Sequence, residues 1–229
     1  MYAQAESIEN IRNRAYADDL RRYDFLKSLL VNKDILDFGC GAGGFLHLAK
    51  NGVAGGVIGI EMEKRMRDVL AGENIKCVRS IDDLNGIDFD VITMFHVLEH
   101  LPNPLEVLNE LRKHIKKGGK LIVEIPNADD ALLSLYNSSE FADFTYWICH
   151  LYLYSNSTFE KLIKKSDWEI EFLGQIQRYP LSNHLHWLSK GKPGGHSEWN
   201  MLNDQIMDDL YEKKLAQLGM ADTIISILK

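Results

Sequence analysis

The chain has 229 residues, of which 45% are hydrophobic, enough for a sizeable buried core in one large domain. Its 26 Lys and Arg against 33 Asp and Glu give a net charge of -7, which argues against a large nucleic-acid footprint and favours a small or sugar-like ligand. Three widely spaced cysteines, Cys40, Cys77 and Cys149, odd in number and without a Cys-x-x-Cys pair, indicate neither a disulfide framework nor a cysteine zinc site, and they fit a reducing cytoplasm. The stretch from Met1 to Asn10 lacks an apolar signal core, and no apolar run nears the roughly 20 residues needed to span a bilayer.

In chain order, Ile8, Ile11, Ala15, Leu20, Tyr23, Leu26, Leu29 and Leu30 recur at near-helical spacing and predict one or two amphipathic helices within residues 1–33. Short apolar runs then alternate with amphipathic stretches. Ile35 to Phe38, Val57 to Ile60, Ile75 to Val78, Phe89 to Met94 and Leu121 to Ile125 read as strands, the pattern of a doubly wound parallel sheet. Phe45 to Lys50, Lys64 to Leu70 and Pro104 to Ile115 read as the intervening helices, the last stopped by Lys116-Lys117-Gly118-Gly119. Further on, a helix near Thr158 to Lys165 leads to a sixth strand, Trp168 to Gln177, and Thr223 to Leu228 forms a seventh. The segments 128–156 and 180–220 break the alternation and read as insertions, the second ending in an amphipathic helix near Leu202 to Leu218. Because they follow the fifth and sixth strands of such a sheet, they are expected to form a substrate cap beside the ligand crevice.

The segment Leu36-Asp37-Phe38-Gly39-Cys40-Gly41-Ala42-Gly43-Gly44 places a glycine-rich turn between a strand and a helix. Gly39, Gly41 and Gly44 also satisfy the dinucleotide spacing, with Glu61 at the distance of a ribose-binding acid, so the loop alone leaves a nicotinamide-dependent oxidoreductase and a structural turn open. Asp37 argues against a pyrophosphate, since a carboxylate there repels phosphate and attracts a cationic amino group. The paired oxygens of Glu61 suit the two hydroxyls of a ribose.

This loop resembles motif I of the class I S-adenosylmethionine-dependent methyltransferases. The later blocks Phe89-Asp90-Val91-Ile92, Val97 to Pro104, Lys117 to Leu121 and Pro126-Asn127 are similar to those of the ubiquinone-pathway and sugar-modifying branch, of the methyltransferase domain type 23 kind. The resemblance covers residues 34–127 strongly, Tyr154 to Leu173 loosely, and lapses over both insertions. It implies an α/β Rossmann-like sheet of seven mostly parallel strands with the last antiparallel. It also implies S-adenosylmethionine as cofactor, with Asp37, Gly39 and Gly41 around its methionine part, Glu61 on the ribose, Met62 beside the adenine, Ile81 and Asp82 at the adenine edge, and Phe95 at the methyl pocket.

Methyl transfer to a hydroxyl is helped by a general base, and histidine suits the task. His96 is the first candidate, with His196 and His184 behind it. His96, Glu99 and His100 fall on one face if a helix starts there, and the resemblance implies a divalent metal near the acceptor in some relatives. The alternative is that Glu99 and His100 only orient the helix and loop. The same residues spell a His-x-x-Glu-His protease signature, for which a mid-helix setting and a third ligand are not indicated. The stretch from Arg178 to His196 concentrates chemistry: Arg178 can hold phosphate or carboxylate, Tyr179 and Trp187 can stack on a sugar, and His186 accompanies them as a substrate contact. Its alternative is a solvated connection. The expected activity is O-methylation of a small molecule, with a sugar, sugar nucleotide or glycan precursor as acceptor and self-association left open. A non-catalytic cofactor- or partner-binding module is the competing class.

Overall fold

A computed structural model describes residues 6–229, so the first five residues of the N-terminal segment lie outside the described residues. The chain divides into two compact units: one comprises the chain up to Val97 with Val107–Ile122 and Lys229, the other Leu98–Glu106 and Val123–Leu228.

The first unit opens on a single long helix, α1 (Ile8–Leu30), capped by Ser7, whose side chain accepts from the Asn10 amide. Its buried face carries Asp19 and Arg22 as well as Leu26 and Leu30, whereas Leu20, expected on the apolar stripe, is exposed. The spacing 15, 19, 22, 26, 30 is helical, so two charged side chains ride on the core-facing stripe. Next come β1 (Asp34–Phe38), α2 (Gly44–Asn51), β2 (Gly56–Ile60), α3 (Lys64–Gly72), β3 (Lys76–Val78) and β4 (Phe89–Phe95). β1 pairs in parallel with both β2 and β4, and β2 with β3. Ile35, Leu36, Leu46, Leu70 and Ile92 are fully buried around this sheet.

The helix α4 (Pro104–Arg112) stops earlier than expected, and Ile115 begins β5 (Ile115–Pro126). The Lys116-to-Gly119 run therefore lies in a strand. Lys116 is held there by Asp34 and Asp90 at 2.6 and 3.0 Å, and the His114 carbonyl accepts from the Phe89 amide at 2.8 Å.

In the second unit, α5 (Ala131–Ser134), α6 (Ser139–Thr145) and α7 (Asn156–Ile163) precede β6 (Ile170–Ile176). The region expected as a polar insertion is mostly helical: α8 (Leu181–Lys190), α9 (Gly195–Glu198) and α10 (Gln205–Leu218) lead to β7 (Thr223–Leu228). Pro180 opens α8, and Gly191, with φ +63°, closes it by donating to the Trp187 carbonyl. β6 and β7 pair antiparallel. The hydrogen-bonded strand order is β3-β2-β1-β4-β5-β7-β6, the mixed Rossmann-like sheet the sequence predicts. No helix among the described residues is long and apolar enough to cross a membrane.

Candidate active site

The first unit holds a pocket of about 170 Å³ lined by the glycine turn. Asp37, the turn from Gly39 to Phe45 and Phe95 form part of its lining, and α1 supplies the rest through Ile11, Arg12, Ala15, Asp19 and Arg22. The turn is shaped by positive φ at Gly39 (+80°) and Gly41 (+51°). A side chain at Gly39 would collide with Val97, whereas a Cβ at Gly41 would meet nothing within 4 Å. Space is thus left at Gly41 for a ligand to approach the backbone.

Asp37 is 3% exposed and accepts from the Thr93 hydroxyl at 2.8 Å. Burial pushes its carboxyl up to about 7, the Thr93 bond working in the other direction and the nearby Asp19 adding to the rise. Asp19 pairs with Arg22 at 3.3 Å, and the Arg22 guanidinium lies 4.6 Å from the centre of the Phe95 ring. Phe95 in turn packs edge-on against Phe45 at 5.0 Å. Two acids and two guanidiniums line the pocket; with Arg12 bonded to Ala42 and Glu73, Asp19, Asp37 and Arg22 match the ammonium and carboxylate of an amino-acid ligand.

Arg12 binds α1 to the turn. Its Nε donates to the Ala42 carbonyl at 2.9 Å, and its two terminal nitrogens donate to both oxygens of Glu73 at 2.8 and 2.6 Å. Those bonds, with one from His47, hold the Glu73 carboxyl down at about 2. Glu61 supports the turn from the other side: one oxygen accepts from the Gly41 amide at 3.0 Å, the other from the Glu63 amide at 2.8 Å. Met62 beside it is exposed. Ile81 and Asp82 sit on a single 3-10 turn, Ile81–Leu84, closed by reciprocal bonds between Ser80 and Asp83. Arg12, Asp19 and Arg22 belong to no motif, and their only mark in the sequence is that charged residues stand at helical spacing with Leu26 and Leu30.

In the second unit a different group assembles. Glu99, His100 and His150 present ligand atoms all within 4.8 Å of one another; His96, with φ +53°, is not among them, because residues 98–100 form a 3-10 turn rather than the start of an α-helix. The Nδ1 of His100 lies 2.6 Å from the Cys149 carbonyl, and that of His150 2.7 Å from the Thr145 carbonyl. A carbonyl can only accept, so both Nδ1 atoms carry a proton, and in the neutral form of each ring Nε2 holds the lone pair. Leu151 and Tyr152 donate their amides to the Glu99 carbonyl, tying the two segments together. One carboxylate and two lone-pair imidazole nitrogens form a donor set for a divalent cation. Close by, the buried Tyr154 hydroxyl has no hydrogen-bond partner among the described residues; burial raises its pKa, and Tyr152 and Glu99 add to the rise.

The Arg178-to-His196 segment separates into two kinds of residue. His184, His186 and Trp187 lie on the inner face of α8, 2%, 0% and 3% exposed. The Gln177 amide donates to His184 Nε2 at 3.0 Å while its Nδ1 meets the Tyr211 hydroxyl at 2.8 Å, and burial pulls its pKa down to about 4. His186 bridges the Lys192 carbonyl and Glu198 at 2.8 and 3.1 Å, and Trp187 packs on Phe141 and Phe144. Helical period explains the burial of His186 and Trp187, which share one face with residues 182 and 183, and Tyr211 packs against His184. Tyr179 and His196 remain at the surface, their rings tilted by 43° with centroids 5.5 Å apart, and Arg178 lies 5.5 Å from the Tyr179 ring.

Residues 8–172 match the methyltransferase domain family. Over 110 residues the chain is 34% identical to a ubiquinone biosynthesis O-methyltransferase of Aliivibrio fischeri, a match covering 43% of this chain and 46% of that protein. The chain thus spans about half the length of the curated relatives it matches. Its fold is similar to that of a SAM-dependent methyltransferase from Archaeoglobus fulgidus, with a TM-score of 0.59 and 22% identity over 97% of this chain and 94% of that one. It is likewise similar to an S-adenosylmethionine-dependent methyltransferase from Mesorhizobium loti, with a TM-score of 0.58 and 13% identity over 93% and 99% of the two chains.

Proposed function

The chain belongs to the class I S-adenosylmethionine-dependent methyltransferases, and from that premise we propose that it methylates a hydroxyl group of a small-molecule acceptor. The carrying observation is the Glu99, His100 and His150 group, of which Glu99 follows the pocket residue Phe95 by four positions in the chain. S-adenosylmethionine, when bound, supplies an electrophilic methyl on a sulfonium. Asp19 and Asp37 hold its ammonium, Arg22 its carboxylate and Glu61 the ribose hydroxyls, with Gly39 and Gly41 allowing close approach. Met62, Ile81 and Asp82 border the adenine.

In this reading Glu99, His100 and His150 would hold a divalent cation, which would supply Lewis-acid polarisation of the acceptor hydroxyl. His96 and His196 are the remaining candidates for the proton acceptor, since both His184 ring nitrogens are engaged inside the second unit. The acceptor we propose is a sugar, sugar nucleotide or glycan precursor. Supporting it are the acidic chain and the exposed Tyr146, Trp147 and Tyr152 flanking His150, whose rings offer stacking faces; Arg178 and Tyr179 are further contacts. The support expected from Trp187 and His186 goes with their burial.

The test is transfer of labelled methyl from S-adenosylmethionine to a panel of sugar nucleotides, amino sugars and catechols, with and without EDTA followed by Mg²⁺, Mn²⁺ or Zn²⁺. An O-methyl sugar product, lost on chelation and restored by one metal, is expected. A catechol product would replace the acceptor class, an N-methyl product would overturn O-methylation, and full activity after thorough chelation would remove the metal.

A further inference from the structure

Cys40 and Cys77 are 37 positions apart, yet their sulfurs lie 3.7 Å from each other in the first unit. Topology brings them together: Cys77 is the middle residue of β3, in register with Gly59 of β2, and the Cys40 amide donates to Ile60, the next residue of β2, at 3.0 Å. Gly59 makes the room. A Cβ there would stand 2.5 Å from the Cys40 sulfur and 3.2 Å from the Cys77 sulfur. Glycine in a strand interior otherwise weakens it, and here the missing side chain leaves the space in which the two thiols meet.

The two thiols differ in the way a reactive pair requires. Cys40 is buried and Cys77 is half-buried, so an oxidant reaches Cys77 more readily. The hydrogen bond between them lowers the pKa of Cys77, with Arg67 contributing, and raises that of Cys40, which burial raises further. Cys40 also lines the cofactor pocket, between Gly39 and Gly41, whose amide is held by Glu61.

We propose that Cys40 and Cys77 are a peroxide-sensitive dithiol whose oxidation to a disulfide shuts the cofactor site. The Cys77 thiolate attacks one oxygen of hydrogen peroxide, the O–O bond breaks, and the departing hydroxide takes up a proton to leave as water. Cys40 sulfur then attacks the Cys77 sulfenic acid; the S–O bond breaks and hydroxide leaves as water with the Cys40 proton. Two thiols and one peroxide become one disulfide and two waters, the sulfurs losing two electrons and the peroxide gaining them. A disulfide requires sulfurs about 2.05 Å apart. Closing the gap draws the Gly39-to-Gly41 turn toward β3, away from the position in which Asp37 and Glu61 frame the pocket.

The experiment uses the full chain carrying Cys149→Ser, which removes the exposed third thiol. The reduced protein is treated with hydrogen peroxide, digested without reductant and mapped by mass spectrometry. Affinity for S-adenosylhomocysteine is measured by calorimetry before oxidation, after it, and after dithiothreitol. Expected are a Cys40–Cys77 crosslinked peptide, a loss of affinity of at least ten-fold, and full recovery on reduction. Adding Cys77→Ser should leave the reduced affinity unchanged and abolish the response. Absence of the crosslink, a crosslink without loss of affinity, or an equal loss in the Cys77→Ser protein would each overturn the proposal. Because reduced protein is measured first, a failure to bind cofactor at all is distinguishable from a failure of the switch.

Discussion

Asp37 makes cofactor binding dependent on pH in a direction that can be worked out. In the ligand-free protein burial raises its carboxyl to about 7, so at pH 6 only about one molecule in eleven carries the charge that attracts an ammonium. The ammonium and carboxylate of S-adenosylhomocysteine do not titrate between pH 5 and 8. Its affinity should therefore fall roughly ten-fold from the alkaline plateau at pH 6 and roughly a hundred-fold at pH 5. Asp37→Asn keeps an oxygen for the Thr93 hydroxyl but removes the charge; it should flatten the profile and cost about 1.5 to 3 kcal/mol at pH 8. Stability moves the other way. An acid whose folded pKa exceeds its unfolded value binds its proton more tightly when folded, so the ligand-free protein loses stability as pH rises from about 4 to about 7, by about 4 kcal/mol for this group. Asp130, likewise raised to about 7 by burial and by Asp222, acts in the same sense, so the difference between wild type and Asp37→Asn isolates the Asp37 part. Calorimetry with S-adenosylhomocysteine from pH 5 to 8 and thermal melts of both proteins are the assays. A flat wild-type profile, or a slope that survives in Asp37→Asn, would refute the reasoning.

Arg22→Ala should weaken S-adenosylhomocysteine binding by about 1.5 to 3 kcal/mol if its guanidinium takes the carboxylate; affinity for adenosine, which lacks that group, should be unchanged in the same calorimetry. Glu61→Ala should cost about 1 to 3 kcal/mol of affinity for S-adenosylhomocysteine and much less for a 2',3'-dideoxy analogue; an unchanged affinity moves the ribose contact elsewhere. His186→Ala should lower stability by about 2 to 4 kcal/mol in urea melts, because it empties a fully buried site, while leaving cofactor affinity as it is. His150→Ala should abolish any metal dependence of turnover without changing cofactor affinity, and a metal effect that persists would place the cation elsewhere.

The sequence by itself determined the alternation of strands and helices, the glycine turn after β1 and the acids at positions 37 and 61. These are local features: apolar runs, a turn that needs positive φ, and spacing along one βαβ unit are written in consecutive residues. It also carried, less visibly, the charged positions 19 and 22 on the inner stripe of α1. What neighbours in the chain do not record is which face of a helix meets the core. Pro180 and Gly191 bound a helix, and once helical, the cluster around His184 turns its imidazoles and Trp187 inward, where buried polar groups must find partners. His96 parts from Glu99 and His100 because a left-handed residue and a 3-10 turn replace the helix that would have aligned them. His150 joins that pair from 50 positions away because its neighbours Leu151 and Tyr152 donate their amides to the Glu99 carbonyl, and Cys77 meets Cys40 only because β3 lies beside β2. Contacts between residues so far apart depend on the order and register of strands and on which segments dock. Only the tertiary structure decides them.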